Sequence, residues 1–290
     1  MKISRKGIIL AGGTGSRLFP ATVSVSKQLL PIYDKPMIFY PLATLMSANI
    51  NDIAIIIRED DYKSFYDLLG DGKQFGISIT YIFQPSPDGL AQAYILAEAF
   101  LSGHSSAMIL GDNIFYGFGL TDILLEASLQ QNATIFGYRV SDPSAYGVAS
   151  FDSKGNVSDI EEKPIKPLSN YAITGLYFLD GSAPLKAKTI KPSQRGELEI
   201  TSLLEIYMNE NQLALKKLGR GFAWLDTGTH ENLLESSNFI RSLQLRQGSQ
   251  IGCLEEIAFN NQWIGKKQIK DQAQKFSKTL YGEYLQSLLS

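Results

Sequence analysis

The 290-residue chain has one cysteine, Cys253, and only two histidines, His104 and His230. A single thiol excludes an intramolecular disulfide, so a reducing cytoplasm is the expected setting. With no His-x-His pair and no Cys/His cluster, a zinc site of the usual donor sets is excluded. His104 falls in Leu-Ser-Gly-His-Ser-Ser, which reads as a solvated loop between a helix and a strand. An apolar span of ~20 residues is missing, as is a charged-then-apolar leader, so neither a membrane helix nor a signal peptide is expected. Charge excess is lacking too: a formal net charge of -2 and a pI near 5.8 offer no electrostatic case for binding nucleic acid or an anionic membrane. Repeats, low-complexity tracts and flexible linkers are absent. Chemistry must then rest on carboxylates, lysines, arginines and a hard metal.

What is present is an ordinary globular composition, 44% hydrophobic and 19% charged, long enough to bury a sizeable core. The most informative stretch is Lys6 to Pro20. The apolar run Ile8-Ile9-Leu10 ends in Gly12, Gly13 and Gly15, with Arg17 just beyond. Glycines there permit unusual dihedrals and let backbone N–H groups approach an anion such as phosphate. Alone, the same residues also describe a strand and a tight turn.

Along the chain, strand patterns alternate with helix patterns. A helix opening at Pro36 and running to about Asn49 precedes a strand at 53–57. A helix at 60–69 with an Asp N-cap follows, then a strand at 77–83, a helix at 90–101 and a strand at 107–110. After a helix at about 122–131, strand candidates at 133–140, 147–151, 157–161 and 172–178 follow with little helix between them. A helix at 198–209, strands at 213–218 and 222–226, and a helical tail complete the chain. The expected fold is α/β, a Rossmann-like mixed, mainly parallel sheet flanked by helices, with a helical C-terminal appendage. Residues 1–230 form the expected catalytic domain, split at about 113/114 into a nucleotide half and a sugar-binding half. Residues 231–290 form the helical tail, expected to carry oligomer contacts.

Three strand ends carry chemically useful residues: the glycine loop, Gly111-Asp112-Asn113, and Trp224-Leu225-Asp226-Thr227-Gly228. In an open α/β sheet ligands bind beyond the carboxyl ends of the strands, so these ends can converge. Asp112 and Asp226 could together hold Mg²⁺, which takes one or two protein carboxylates and completes its shell with phosphate oxygens. Arg17, Lys27, Lys163 and Arg195 supply positive charge, Lys27 and Lys163 in proline-bounded segments unlike a surface charge run. Glycine loop, cations, a carboxylate pair and no useful histidine suit phosphoryl or nucleotidyl transfer. A Walker loop is excluded for want of its glycine and lysine, and the dinucleotide fingerprint fails where Leu18 stands in place of its third glycine.

Gly-Gly-Thr-Gly-Ser-Arg-Leu-Phe-Pro, followed by Ser-Lys-Gln-Leu-Leu-Pro-Ile-Tyr-Asp-Lys-Pro-Met, resembles the signature of the sugar nucleotidyltransferases. More narrowly, Gln84 to Ala93, Leu110-Gly111-Asp112-Asn113, Glu161-Glu162-Lys163-Pro164, Arg195 to Thr201 and Trp224 to Thr229 resemble the glucose-1-phosphate thymidylyltransferase family, over nearly the whole chain and in order. Phe19 departs from it, since close relatives often carry histidine there. The resemblance implies transfer of a thymidylyl group from dTTP to α-D-glucose 1-phosphate by metal-assisted in-line attack. The products would be dTDP-glucose, for dTDP-rhamnose and related sugars, and pyrophosphate. It implies that Leu10 and Asp112 belong to the nucleotide site, that Gly12, Gly13, Arg17 and Lys27 hold its phosphates, and that Gln84 and Gly89 read the thymine edge. Asp112 and Asp226 would hold Mg²⁺. Asn113, Tyr146, Gly147, Glu162 and Ile173 would line the sugar site, and Lys163 and Arg195 would grip its phosphate. Gly117, Gly219 and Arg220 would belong to a second nucleotide site in a homotetramer inhibited by a dTDP-sugar end product. A UTP-preferring enzyme and a non-catalytic nucleotide-sugar-binding regulator are the alternatives. The intact cation and carboxylate set argues against the regulator.

Overall fold

Ile8-Ile9-Leu10 and Asp52–Ile57 are near-continuous apolar runs, the pattern of strands covered on both faces, and both lie in the middle of a nine-stranded sheet. The computed structural model describes residues 5–290. Its strands are β1 (Arg5–Leu10), β2 (Pro31–Ile32), β3 (Lys35–Pro36), β4 (Asp52–Ile57), β5 (Ser78–Phe83), β6 (Ser105–Leu110), β7 (Asn113–Tyr116), β8 (Ala133–Arg139), β9 (Gly147–Phe151), β10 (Val157–Glu162), β11 (Tyr171–Leu179), β12 (Leu213–Leu218) and β13 (Ala223–Asp226). The helices are α1 (Phe39–Ser47), α2 (Tyr62–Leu69), α3 (Gln92–Leu96), α4 (Glu98–Leu101), α5 (Leu120–Leu129), α6 (Ala183–Ala187), α7 (Ile200–Asn209), α8 (His230–Gln247), α9 (Leu254–Asn260), α10 (Lys266–Lys275) and α11 (Leu280–Ser287).

In the sheet β5, β4, β1 and β6 run parallel, β11 joins β6 antiparallel, and β8 and β12 continue beyond it, parallel to each other. The β9–β10 hairpin attaches to the start of β11 through Ala172 and Val148. Successive residues of β1 face opposite sides. Ile9, with Ile53, Ile55 and Leu45, packs in one apolar cluster, while Ile8, with Ile56, Met108, Tyr94 and Leu203, packs in the other. The mixed sheet, with a parallel centre and helices on both faces, is the expected architecture.

Local expectations differ in places. Pro36 lies in the β2–β3 ribbon opposite Pro31, and the helix begins only at Phe39. Neither proline can donate a ladder hydrogen bond, which suits a two-residue ribbon and not a helix start. The acidic start of the 60–69 helix forms a 3₁₀ turn, Glu59–Asp61. There the Asp61 carboxylate accepts from Arg58 Nε and Nη2 at 2.8 and 3.0 Å instead of capping. The 90–101 helix is two short helices, α3 and α4.

The helical tail shares the main core. Leu254, Ala258, Ile269, Ala273 and Leu285 are buried in the same cluster as Leu45 and Met46 of α1, and Asn261 Nδ2 donates to Met46 O at 3.0 Å. Leu254→Ala should therefore destabilise the chain by about 2–5 kcal/mol while denaturant unfolding stays a single transition. A separate early transition for the tail would contradict a shared core.

Candidate active site

A cavity of about 410 Å³ opens at the carboxyl ends of the central strands. Leu10 and Leu110, paired in register at the ends of β1 and β6, form part of its wall. The glycine loop follows Leu10 directly. Of its three glycines only Gly15 has positive φ, at 64°, so unusual dihedrals explain one position. Gly12 is needed for close approach, since a β-carbon there would lie 2.1 Å from Gln84 Oε1. Gly13 and Arg17 line the cavity. Ser26 and Leu30 bracket a 3₁₀ turn, Lys27–Leu29, that is tied down where Ile38 N donates to Gln28 O at 2.9 Å.

That turn aims Lys27 Nζ at Asp112 Oδ2, forming an ion pair. Burial works against the Asp112 carboxylate, but the adjacent ammonium and the Asn113 amide hold its pKa below the usual range. Asp226 sits opposite Asn113 in the β7–β13 ribbon. Thr227 locks the crossing, donating to Asp112 O through its N–H at 3.1 Å and its hydroxyl at 2.8 Å. Burial, then the charge of Asp112, pushes the Asp226 carboxyl up, while Lys27 and Arg17 oppose the rise. A second cation beside the pair would relieve that repulsion. Among the described residues no group of three or more His, Cys, Asp or Glu side chains is arranged to hold a metal. Two carboxylates do not make a closed cage, but they fit a Mg²⁺ that takes its other ligands from water and phosphate.

Asn113 has its orientation set for it. Its Oδ1 accepts from Trp224 Nε1 at 2.6 Å and Gly175 N at 3.2 Å, and these groups can only donate. The amide nitrogen is thereby turned to Asp112 Oδ1, 2.9 Å away.

Across the cavity, β9 and β10 pair Gly147 with Glu162. Burial, then the nearby Glu199, pushes the Glu162 carboxyl up, with Lys163 and Arg195 opposing. Lys163 has φ 46°, an uncommon region for a non-glycine residue, and its N–H donates to Tyr146 O at 3.0 Å. Arg195 faces Glu197, Glu199 and Glu162 at 3.2, 3.5 and 3.7 Å. The part-exposed pairs with Glu197 and Glu162 are worth about 0–1 kcal/mol each, so a dianionic ligand can compete for those faces of the guanidinium. Ile173 of β11 and Tyr146 complete this wall.

On the third side, Gly89 has φ 109°, and a β-carbon there would come within 2.4 Å of Leu198 O. The loop is stapled to that segment, Leu198 N donating to Asp88 O at 2.7 Å and Ala91 N to Leu198 O at 3.0 Å. The base-reading candidates and the Arg195 loop are thus held together.

The cavity therefore gathers Leu10, Gly13, Arg17, Lys27, Gln84, Gly89, Asp112, Asn113, Tyr146, Gly147, Glu162, Lys163, Ile173, Arg195 and Asp226, with Gly12 against Gln84. Gln28, Glu199, Thr201 and Trp224 also line it and were not singled out from sequence. All four lie in the quoted motifs, Gln28 beside Lys27, Glu199 and Thr201 in the stretch that opens on Arg195 and Trp224 two residues before Asp226, but only the structure turns their side chains to the cavity. Gly117, Gly219 and Arg220 lie elsewhere, at the far end of the β7–β13 ribbon, where Phe222 packs on Gly117 and Phe222 N donates to Gly219 O at 3.3 Å. Arg220 and His104 are exposed.

The nucleotidyl transferase family model matches residues 6–242. A glucose-1-phosphate thymidylyltransferase of Xanthomonas campestris pv. campestris is 58% identical, over 98% of this chain and 97% of its own length. The protein of that name from Neisseria gonorrhoeae is 53% identical over 98% of this chain and 99% of its own. A solved Bacillus anthracis structure, named for glucose-1-phosphate thymidylyltransferase and holding sucrose, superposes with a TM-score of 0.76 at 38% identity, covering 82% of this chain and 96% of its own. A UDP-glucose pyrophosphorylase with UDP-glucose bound shares the fold at TM-score 0.74 and 24% identity, over 83% of this chain and 99% of its own.

Gly89→Ala should cost about 1–3 kcal/mol through its positive φ and break the staple. Hydrogen exchange at the Leu198 and Ala91 amides should then accelerate, and unchanged protection at both would refute the staple.

Proposed function

The chain belongs to the nucleotidyl transferase family, among the glucose-1-phosphate thymidylyltransferases, and on that footing we propose how its cavity performs the reaction. It transfers a thymidylyl group from dTTP to α-D-glucose 1-phosphate, giving dTDP-glucose and pyrophosphate. The observation that carries the reading is one cavity holding Lys27, Arg17 and two carboxylates between an amide, Gln84, and a second cationic corner, Lys163 and Arg195.

A phosphate oxygen of the sugar phosphate attacks the α-phosphorus of dTTP, and the bond from that phosphorus to the bridging oxygen breaks, releasing pyrophosphate. The nucleophile needs no general base, because a phosphate monoester with second pKa near ~6 is already a dianion at neutral pH. The scarcity of histidine agrees with this. Catalysis is then mainly positioning and charge neutralisation. Gly12, Gly13 and Arg17 bind the triphosphate beside Leu10, and Lys27 holds the α-phosphate as its charge builds. Gln84 and Gly89 read the thymine edge. Lys163 and Arg195 grip the sugar phosphate, and Asn113, Tyr146, Gly147, Glu162 and Ile173 shape the sugar pocket. Asp112 and Asp226 would hold Mg²⁺, which when bound would supply divalent positive charge beside the phosphate oxygens.

The same reading extends to regulation and setting. A homotetramer and inhibition by a dTDP-sugar end product near Gly117, Gly219 and Arg220 are supported by the fully exposed Phe118 in that region. Its separation from the catalytic cavity points the same way. A reducing cytoplasm is supported by the lone, buried Cys253.

Pyrophosphate release with glucose 1-phosphate should be faster with dTTP than with UTP, and a strong UTP preference would overturn the base assignment. Lys27→Ala should lower kcat/KM by about 10²–10³-fold while dTTP still binds; unchanged turnover would refute its role. Chelation should abolish activity and added Mg²⁺ restore it, whereas full turnover in excess chelator would remove the metal from the mechanism.

A further inference from the structure

Gln84 faces the cavity through an amide whose two ends differ: an oxygen accepts, a nitrogen donates. Which end meets the nucleotide decides which bases fit. Gln84 Nε2 donates to Gln92 Oε1 at 2.7 Å. Gln92, buried at 8% exposure, is itself oriented twice over by Asp88. Its Nε2 donates to Asp88 Oδ2 at 2.8 Å, and its Oε1 accepts from Asp88 N at 3.3 Å. A carboxylate can only accept and a backbone N–H can only donate, so both contacts specify one orientation of the Gln92 amide. Ser86 Oγ, donating to the same Asp88 oxygen at 2.6 Å, pins the carboxylate. Gln84 is left with one N–H of its amide given to Gln92, which fixes the side of the amide its nitrogen takes, and its Oε1, lying over Gly12, accepts no hydrogen bond among the described residues.

We infer that Asp88 and Gln92 are positioning residues that set base specificity, holding Gln84 with its oxygen toward the nucleotide so that only a base presenting an N–H donor is read. The inference rests on the assignment of Gln84 as base reader. Thymine and uracil carry N3–H, while cytosine presents a bare N3 acceptor, which would meet Gln84 Oε1 lone pair to lone pair. Gly89 N–H, which donates no hydrogen bond among the described residues and lines the same cavity, adds a donor suited to an imide carbonyl. Neither Asp88 nor Gln92 lines the cavity, so neither touches the reacting phosphates. The relay thus excludes cytosine and does not by itself separate thymine from uracil.

The test compares kcat/KM for dTTP and dCTP in variants that fix or reverse the polarity at position 92. In the double variant Asp88→Asn with Gln92→Glu, position 92 still only accepts toward Gln84, and the new asparagine can donate to it. Its dTTP-over-dCTP ratio should stay within about threefold of the parent. In Gln92→Lys, position 92 can only donate, so Gln84 must turn its oxygen inward and its nitrogen outward. The ratio should fall by at least about tenfold, through a raised KM for dTTP, with kcat for dTTP little changed. Equal loss in both variants would mean a merely structural role, and an unchanged ratio in Gln92→Lys would likewise overturn the relay. Gln84→Leu separates the two levels. If it leaves the ratio intact, Gln84 does not read the base and the underlying assignment fails. If it collapses the ratio while Gln92→Lys does not, only the relay fails.

Discussion

Two like charges in one cavity, the buried Asp112 and the half-buried Asp226, are the constraint on which the rest of the site depends. Taken out of water together they repel each other, and burial penalises each one further. Lys27 pairs directly with Asp112, and with Arg17 it opposes the rise at Asp226 only in part, leaving that carboxyl raised. An apolar cleft of this shape would be more stable without the pair, since buried ion pairs seldom repay their desolvation. Their retention makes sense when the missing charge arrives with the ligands. On the function proposed above, a divalent cation arriving with the triphosphate would supply it.

A second theme is the use of groups with one fixed polarity to orient amides that could face either way. Trp224 Nε1 and Gly175 N can only donate, so Asn113 must give its nitrogen to Asp112. The Asp88 carboxylate can only accept, so Gln92 and then Gln84 follow. Trp224 and Gly175 orient from the cavity wall itself, whereas Asp88 and Gln92 do so from outside its lining. An amide free to flip would offer the cavity a mixture of donor and acceptor, and discrimination between bases would blur.

Much of this was legible along the chain because it was local. The parallel β-α alternation appears as apolar runs separated by helical periodicity, and β1, β4 and β6 lie where those runs predict. The cations and carboxylates of the cavity stand at strand ends or beside prolines, settings visible in a few consecutive residues. Less legible were elements whose stability comes from distant partners. β7 is four residues long and exists because β13, more than a hundred positions later, pairs with it. The Pro36 helix start failed because Pro31 and Pro36 meet across a ribbon instead. Trp224 and Glu199 lie inside stretches marked from sequence by Asp226 and Arg195, but that their own side chains face the cavity is decided by tertiary packing.

By itself, then, the amino-acid sequence determined the fold class, the likeness to a family and the identity of the charged residues that gather at one cavity. Those properties depend on residue type, short-range periodicity and ordered motifs. The tertiary structure alone decided which carboxylate carries the ion pair, which glycine serves close approach and which serves a turn, and which way each amide faces. These depend on distances between atoms far apart in the chain, and hydrogen-bond polarity has no meaning until donor and acceptor are brought within about 3 Å.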